Sequence, residues 1–271
     1  HVYATEDWGV PWTSLRGNLP DWAGTTRCLA EDLANPDVLY LGTEFGAWVS
    51  VDRGGSWTSL NANLPTVAVH AFAQHPTAGE IVAATHGRSL WVLDVTVLRQ
   101  MKADALDADA HLYRPNTAIL WRGEPSRGGS RTFLGENPSS GAEIFYSLKK
   151  KADRVSLKVT QLDGTVVRTL EADGAPGLHR VSWNLRTELP PEQRNRWRRW
   201  GPRVQPGTYR VVLEAGGRSY AQDLAVDIDP EHPDPAWLAY EAAEEAAEAE
   251  YQEARARRKF PEDFYHEDRE D

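Results

Sequence analysis

Trp12-Thr13-Ser14-Leu15, followed by Asn18-Leu19-Pro20, recurs 45 residues later as Trp57-Thr58-Ser59-Leu60, followed by Asn63-Leu64-Pro65. The match continues upstream at the same offset, where both copies follow the pattern Ser/Thr-x-Asp-x-Gly-x-x-Trp. The residues that fill this pattern are Thr5, Asp7, Gly9 and Trp12 in the first copy and Ser50, Asp52, Gly54 and Trp57 in the second. Two copies in register indicate an internal repeat with a period of 45 residues.

Short apolar segments of strand length accompany the repeat. Residues 38–43 and 46–50 form one pair of such segments, and residues 81–85 and 90–93 form a second pair, joined by His86-Gly87-Arg88-Ser89. β-Branched and aromatic residues bounded by glycine and polar turns favour strands. A period of about 40–50 residues with four short strands per unit is typical of β-propeller blades. Residues 1–94 are therefore predicted to form about two blades.

Each residue type in the repeated pattern suits a tight turn between strands. Aspartate tolerates turn geometry and accepts backbone hydrogen bonds, glycine supplies a positive φ angle, and tryptophan packs a large apolar surface over the turn. Here the sequence resembles the Asp-box (BNR) repeat family of β-propellers, which includes sortilin-type (VPS10) domains, sialidases and xyloglucanase-like glycosidases. The resemblance implies that Asp7 and Asp52 are structural residues away from the ligand face and not catalytic acids.

Two blades are too few to close a propeller, so the sequence predicts that further blades exist. Propellers close with about four to eight blades, and two blades would leave strand edges and apolar faces uncovered. We therefore expect residues 1–94 to be the end of a longer propeller. Upstream blades of the same full-length chain are its first expected partner.

The pattern changes after residue 94. Residues 95–141 are predicted to be a linker and a loop, because residues 122–141 are rich in glycine and proline. Within residues 142–228, apolar and polar residues alternate in six or seven short segments, with a hairpin signal at Asp163-Gly164. This spacing of short strands predicts an antiparallel β-sandwich.

Parts of this sandwich carry a second resemblance. Residues 154–170, Gly177–Leu185 and Pro206–Leu213 resemble the Ig-like domain of the flagellar hook-capping family. Together with the Asp boxes, they are similar to the C-terminal portion of large bacterial sortilin-like, BNR-repeat proteins, which are often described as glycosyl hydrolase-like. The resemblance implies an exported protein in the periplasm, on the cell surface or secreted.

The negative charge of the chain lies at its C-terminal end. The net charge is −10, of which residues 227–271 carry −11 and the other 226 residues carry +1. This balance, with a mean hydropathy of −0.56 and no apolar run of about 20 residues, is typical of neither nucleic-acid-binding nor membrane-spanning proteins.

Residues 229–271 are predicted to be an acidic helical tail. Asp234-Pro235 predicts the start of a helix over 236–259, with a disordered end at 260–271. The narrow apolar stripe of this helix predicts docking by its first turns, and residues 194–199 are the expected docking partner.

Few residues carry candidate chemistry. A glycosidase needs two carboxylates about 5–10 Å apart, and Glu44 is the candidate for one of them, with its partner expected in other blades. His86 and Arg88 are candidates for ligand binding at a propeller opening, where Arg88 would bind a carboxylate. The alternative is that Arg88 pairs with a neighbouring acid inside a tight turn.

One cluster of basic and aromatic residues stands apart from the repeat. Its candidate binding residues are Arg196, Trp197, Arg199 and Trp200. Arginine and tryptophan together suit nucleic acid or carbohydrate binding, and the alternative is a loop that packs on the neighbouring propeller or on the acidic tail. The spacing of histidines matches no usual metal site, so neither a metal nor a cofactor is expected.

Two functional hypotheses follow from the sequence. The first is a non-catalytic binding or scaffold module of a sortilin-like propeller protein, with a protein, peptide or glycan as its ligand. The second is an exported glycoside hydrolase of the Asp-box propeller class, with catalytic carboxylates mostly in other blades.

Overall fold

The computed structural model of the chain describes residues 2–5, 7–122, 141–194 and 199–259, with the backbone alone for 257–259. Several sequence predictions fall elsewhere. Most of the predicted loop at 122–141, the predicted disordered end at 260–271, and the candidates Arg196 and Trp197 lie outside the described residues.

The protein is mainly β, with several sheets and a helix near its C-terminal end, as the sequence predicts. The chain divides into two compact units, residues 1–116 and 117–271, and this division falls inside the predicted linker. No helix among the described residues is long and apolar enough to cross a bilayer.

The first unit is built from short strands. The described strands are β1 Tyr3–Ala4, β2 Thr13–Ser14, β3 Thr26–Glu31, β4 Leu39–Thr43, β5 Gly46–Ser50, β6 Thr58–Ser59, β7 Val69–Gln74, β8 Glu80–Thr85, β9 Leu90–Asp94 and β10 Ala110–Leu112. A 3-10 turn covers Asp21–Ala23, and the helices are α1 Thr96–Gln100 and α2 Ala103–Asp107. Strands β3 to β6 form an antiparallel first sheet, and β7 to β9 form an antiparallel second sheet.

The β1–β2 pair repeats the outer half of the first sheet. Tyr3 pairs with Ser14, and Trp48 pairs with Ser59, so both partners shift by the same 45 residues. Strand β1 therefore corresponds to β5, and β2 corresponds to β6. The repeat in the sequence is also a repeat of strand register.

Both copies of the repeated Ser/Thr-x-Asp-x-Gly-x-x-Trp pattern, called the box below, form the same hydrogen-bonded turn. The Ser50 hydroxyl donates to Asp52 at 2.7 Å and accepts the Gly54 N–H at 2.7 Å. The residues 45 positions earlier make the same two bonds at 2.8 and 2.9 Å. Gly54 adopts φ 88°, which favours glycine. These bonds occupy the carboxylates within their own turns.

The pKa values of the two box carboxylates follow from these bonds. Burial acts to raise the pKa of Asp52, but hydrogen bonds from Ser56, Ser50 and the backbone lower it overall. The hydrogen bond from Thr5 is the main cause that lowers the pKa of Asp7.

The tryptophan of the second box joins two repeats. The Trp57 indole N–H donates to the Leu15 carbonyl at 2.8 Å. The Asn18 side chain accepts the Trp57 backbone N–H at 2.6 Å and donates to its carbonyl at 3.1 Å. Trp57 is only 3% exposed, whereas Trp12 is 61% exposed. The expectation that each box tryptophan is buried therefore holds for Trp57 and is wrong for Trp12, because burial depends on the neighbouring repeat and not on the turn.

A buried ion pair connects α1 to the first sheet. Arg99 Nε lies 2.8 Å from Asp32 Oδ2, and the Asp32 side chain is fully buried. The Tyr40 hydroxyl donates to the same carboxylate at 3.0 Å. Burial acts to raise the pKa of Asp32, but the hydrogen bond from Arg99, with smaller contributions from backbone N–H groups and Tyr40, lowers it overall.

The second unit contains longer strands and one long helix. Its described elements are β11 Ala118–Leu120, β12 Ala142–Leu148, β13 Val155–Thr160, β14 Val166–Leu170, β15 Gly177–Trp183, a 3-10 turn Pro191–Gln193, β16 Gly207–Ala215, β17 Arg218–Ile228 and α3 Ala236–Lys259. One sheet has the order β11-β17-β16-β13-β14, with β11 parallel to β17. Strands β12 and β15 pair antiparallel.

Alternating side chains of these strands form the core of the second unit. In β12, every second residue is buried, which matches the apolar-polar alternation in the sequence. Trp183 in β15 is fully buried, its indole N–H donates to the Arg186 carbonyl at 3.0 Å, and its ring centre lies 5.7 Å from that of Tyr209 in β16. The aromatic contact joins strands of the two sheets.

Helix α3 docks through arginines that flank the predicted partner segment. The Asp234 carboxylate accepts the Ala236 N–H at 2.9 Å, and Leu238 is buried. Arg186 bonds both oxygens of Glu245, and Arg203 lies 3.2 Å from Glu241. Of the expected partner segment 194–199, residues 195–198 lie outside the described residues, and Arg194 pairs with Glu188 at 2.7 Å. Glutamates one turn apart on α3 face arginines outside that segment.

Replacing Asp32 by alanine is expected to destabilise the first unit by about 3–5 kcal/mol, because Arg99 keeps a largely buried charge without its partner. The folded-state pKa of Asp32 is lowered, so its contribution is present at neutral pH and is lost as the pH falls through the acid range. Urea unfolding at about pH 7 and pH 2.5 measures both effects, because the contribution is lost only below the ordinary aspartate pKa of 3.8. In the matched control Asp37→Ala, the lost carboxylate is half exposed and 4.0 Å from Arg53, so stability should change by less than about 0.5 kcal/mol. Equal losses in the two variants would contradict a special role for the buried pair.

Glu245→Gln is expected to lower the Tm of the second unit by about 2–4 °C, because a partly exposed bidentate pair is worth about 1 kcal/mol. Raising NaCl from about 20 to 500 mM should shrink the difference, since salt screens the pair. Glu250→Gln makes the same change in net charge at an exposed position of α3 and is the control. A salt-independent loss, or the same loss in Glu250→Gln, would count against docking through Arg186.

Candidate binding site

The turns that carry the candidate residues lie at the same end of the two sheets. In the first sheet, Thr43 pairs with Thr26, so the Glu44-Phe45 turn lies where β3 begins. In the second sheet, Thr85 pairs with Val69, so residues 86–89 lie where β7 begins. The start of β3 marks this edge in the first sheet, and the start of β7 marks it in the second sheet.

Strands β3 and β7 run side by side in the same direction. At one end, the Cys28 thiol donates to the Val69 carbonyl at 3.6 Å. At the other end, the Gln74 side chain donates to the Glu31 carbonyl at 2.6 Å. The two edges therefore face the same way, and we call them together the rim, defined as residues 25–27, 44–45, 70 and 86–89.

A glycine permits this close approach. A β-carbon at Gly42 would lie 2.4 Å from the Val69 carbonyl oxygen and 2.5 Å from the Cys28 sulfur. Both neighbours are held in their sheets, so a larger residue would push the second sheet away from the first. Gly42 thus fixes the spacing of the two halves of the rim.

Glu44 and His86 occupy equivalent positions in the two sheets. The Glu44 N–H donates to the Thr25 carbonyl at 2.9 Å, and the His86 N–H donates to the Ala68 carbonyl, also at 2.9 Å. The first strand of each sheet, β3 or β7, also carries a register shift. The shift begins one residue after the carbonyl acceptor, at residues 26–28 in β3 and 69–71 in β7. By the same correspondence, Arg27 matches His70.

The two halves of the rim fill these positions with different chemistry. In the first sheet, Arg27 Nη2 lies 3.5 Å from Glu44, whose carboxylate also accepts the Thr25 N–H at 3.3 Å. In the second sheet, the rings of His70 and His86 lie 5.2 Å apart and tilted by 33°. A pair of two imidazoles thus stands where the first sheet has an ion pair.

Arg88 adds a further cation to the second half. It is exposed, and it appears in none of the ion pairs of the described residues. Its carbonyl accepts the Trp91 indole N–H at 2.8 Å, while Gly87 and Ser89 on either side have φ 79° and 69°. The turn is thus held by its backbone, and the guanidinium is available to a ligand.

Aromatic side chains lie beside the first half of the rim. Trp22 is 63% exposed and its ring centre is 5.3 Å from that of the buried Trp48. Phe45 is 43% exposed, and a β-carbon at Gly24 would lie 2.9 Å from its ring. The charged groups of the rim therefore lie beside an exposed apolar surface. Sequence analysis did not identify this apolar surface.

The sequence placed Glu44, His86 and Arg88 among its candidates, and the fold brings their turns to one rim. It missed Arg27, the partner of Glu44, and His70 as the partner of His86. The missed signal is the offset of 42 to 43 residues that aligns Arg27 with His70 and Glu44 with His86.

The remaining candidates belong to the second unit. The Arg168 guanidinium lies 3.7 Å from the centre of the Trp200 ring. Arg199 and Trp200 line a groove of about 1040 Å³ beside α3, together with Arg186 and several glutamates of the helix. This part of the cluster therefore makes contacts within the chain.

Within the described residues, no three His, Cys, Asp or Glu side chains converge to hold a metal ion. Comparison with protein-family models and with curated proteins gives no match for the chain.

An exchange of side chains tests the equivalence of the two halves of the rim. The double variant His70→Arg/His86→Glu should form the ion pair of the first sheet and show a favourable coupling of about 0.2–1 kcal/mol in a double-mutant cycle. Urea unfolding of the parent, both single variants and the double variant at pH 7.5 gives this coupling. The pair His75→Arg/His86→Glu is the control, since residue 75 lies at the other end of β7. A coupling no larger than that of the control would show that the positions do not correspond.

Proposed function

We propose that the first unit is the end of an Asp-box β-propeller of the sortilin-like type and that the second unit contains an Ig-like sandwich. The protein is a non-catalytic binding or scaffold module, exported from the cell, whose rim binds a carboxylate on a protein, peptide or glycan. The identical box hydrogen bonds and the 45-residue shift of strand register support the propeller part of this proposal.

One observation carries the binding part. The position that holds the Arg27–Glu44 ion pair in the first sheet holds His70 and His86 in the second, next to Arg88. In an ion pair, each charge is neutralised by its partner. Two imidazoles and a guanidinium instead provide several hydrogen-bond donors and contain no carboxylate. Such a set suits an anionic group supplied by a ligand, and arginine binds carboxylates bidentately.

The same geometry favours binding over hydrolysis. A glycosidase needs one carboxyl group that is free to give a proton and a second that attacks or activates water. Glu44 is paired with Arg27, and it is the one carboxylate among the described residues of the rim. Hydrolysis remains an outcome that the experiment below can detect.

Binding of carboxylate probes tests the proposal directly. Hexaglutamate and sialyllactose should bind more tightly than hexaglutamine and lactose. Arg88→Ala should weaken binding at least about tenfold, because a charged hydrogen bond is worth about 1.5–3 kcal/mol. Isothermal titration calorimetry at low salt measures these affinities.

Arg53→Ala is the matched control, since it removes the same charge from the box turn at the opposite end of β5. Equal affinity for acidic and neutral probes, or equal loss in Arg53→Ala and Arg88→Ala, would refute the carboxylate site. Turnover of sialyllactose that is abolished by Glu44→Gln would favour the hydrolase instead.

A further inference from the structure

His70 and His86 are brought together by strand pairing and not by their spacing along the chain. They lie 16 residues apart in the sequence, but β7 pairs with β8, and the His86 N–H donates to the Ala68 carbonyl at 2.9 Å. His70 is the extra residue in the register shift at residues 69–71, and such irregularities redirect side chains. The backbone of two paired strands therefore fixes the positions from which both imidazoles project.

The two imidazole rings are exposed, and their nitrogens have no role inside the fold. Within the part of the chain that the structure describes, neither ring takes part in a hydrogen bond or an ion pair. By contrast, a ring nitrogen of His75 accepts two backbone N–H groups, and a ring nitrogen of His179 lies 2.7 Å from the Ala175 carbonyl. Those two histidines have structural partners, whereas the His70–His86 pair leaves its nitrogens to a ligand.

The separation of the two rings suits a metal ion. Zinc binds an imidazole nitrogen at about 2.0–2.1 Å, so it lies about 3.2 Å from the centre of a ring whose nitrogen faces it. Ring centres 5.2 Å apart then correspond to an angle of about 110° between the two Zn–N bonds. Zinc prefers this tetrahedral angle. A metal ion can therefore bridge the pair with little movement of the two exposed side chains.

Two imidazoles leave coordination positions open. Tetrahedral zinc takes four ligands, and among the described residues no third His, Cys, Asp or Glu side chain converges on the pair. Arg88, two residues after His86, adds a guanidinium, which donates hydrogen bonds and does not ligate metals. A metal ion beside this guanidinium makes a strongly cationic site. An anion from outside the chain is therefore the group that completes it.

We propose that His70 and His86 chelate a divalent transition-metal cation, and that the carboxylate of the ligand fills a coordination position that the two rings leave open. Imidazole nitrogen suits zinc, copper and nickel, whereas calcium and magnesium require oxygen ligands. The first sheet lacks this pair, because the equivalent positions hold the Arg27–Glu44 ion pair. The metal part of the inference stands apart from the function proposed above, and the carboxylate part rests on it.

Titration with zinc chloride tests the metal part. Isothermal titration calorimetry at pH 7.5 compares the parent chain with the double variant His70→Ala/His86→Ala, which measures binding by all other groups. The parent should bind one additional zinc ion, and copper should bind there more tightly and calcium not at all. Each single variant should weaken this binding at least about tenfold, because one ring alone loses the chelate effect.

His75→Ala is the matched control and should keep the additional zinc ion, since residue 75 lies at the other end of β7. Both rings of the pair are exposed, so the variants should fold as the parent does. Equal zinc binding by the parent and the double variant would overturn the proposal. So would a loss in His75→Ala as large as the loss in His70→Ala.

Binding of sialyllactose with saturating zinc, and after removal of metal with a chelating resin, tests the carboxylate part. This probe carries one carboxylate, and lactose is its neutral control. Zinc should raise the affinity of the parent for sialyllactose at least about threefold, because the metal adds a cation beside Arg88, and should leave the double variant unchanged. An affinity that does not respond to zinc would overturn the carboxylate part. If zinc binds as expected but sialyllactose never binds more tightly than lactose, the function proposed above fails and the metal site stands.

Discussion

Trp57 connects two neighbouring repeats, and the first unit depends on that connection. Its indole and backbone bond to Leu15 and Asn18, while its ring packs with Leu41 and Trp48 of the first sheet. A small sheet of short strands cannot bury both of its faces alone, so each repeat is stabilised by the next. The repeated turn presents the tryptophan, but the neighbouring repeat decides whether that tryptophan is buried.

The ion pair between Asp32 and Arg99 stabilises the packing at the other side of the first sheet. It holds α1 against the sheet where a further box would fall, and Asn35 strengthens the contact by donating to the Arg99 carbonyl at 3.0 Å. A buried charge pair is specific in geometry because either partner alone is costly to bury. The repeat is thus followed by a helix with its own fixed anchor.

In the rim, equivalent backbone positions of the two sheets carry side chains with different roles. Matching hydrogen bonds place Glu44 and His86 at the same point of their sheets, and the side chains then diverge. The Arg27–Glu44 pair satisfies itself and contributes to local order, while His70, His86 and Arg88 leave their donors to a partner. The close approach at Gly42 holds both halves together, so the backbone sets the position of the site and the side chains set its chemistry.

The sequence by itself determined much of the local structure: the two box turns, the strand pairs at 38–50 and 81–93, the alternating strands of 142–228, the 45-residue period and the helix after Asp234. Turn geometry and strand alternation depend on residues a few positions apart, so spacing along the chain suffices to predict them. Only the tertiary structure decided that Trp57 is buried and Trp12 exposed, that Arg27 pairs with Glu44, and that α3 docks on Arg186 and Arg203. Each of these outcomes depends on partners 17 to 59 residues apart, whose meeting is fixed by the packing of sheets and not by any local pattern.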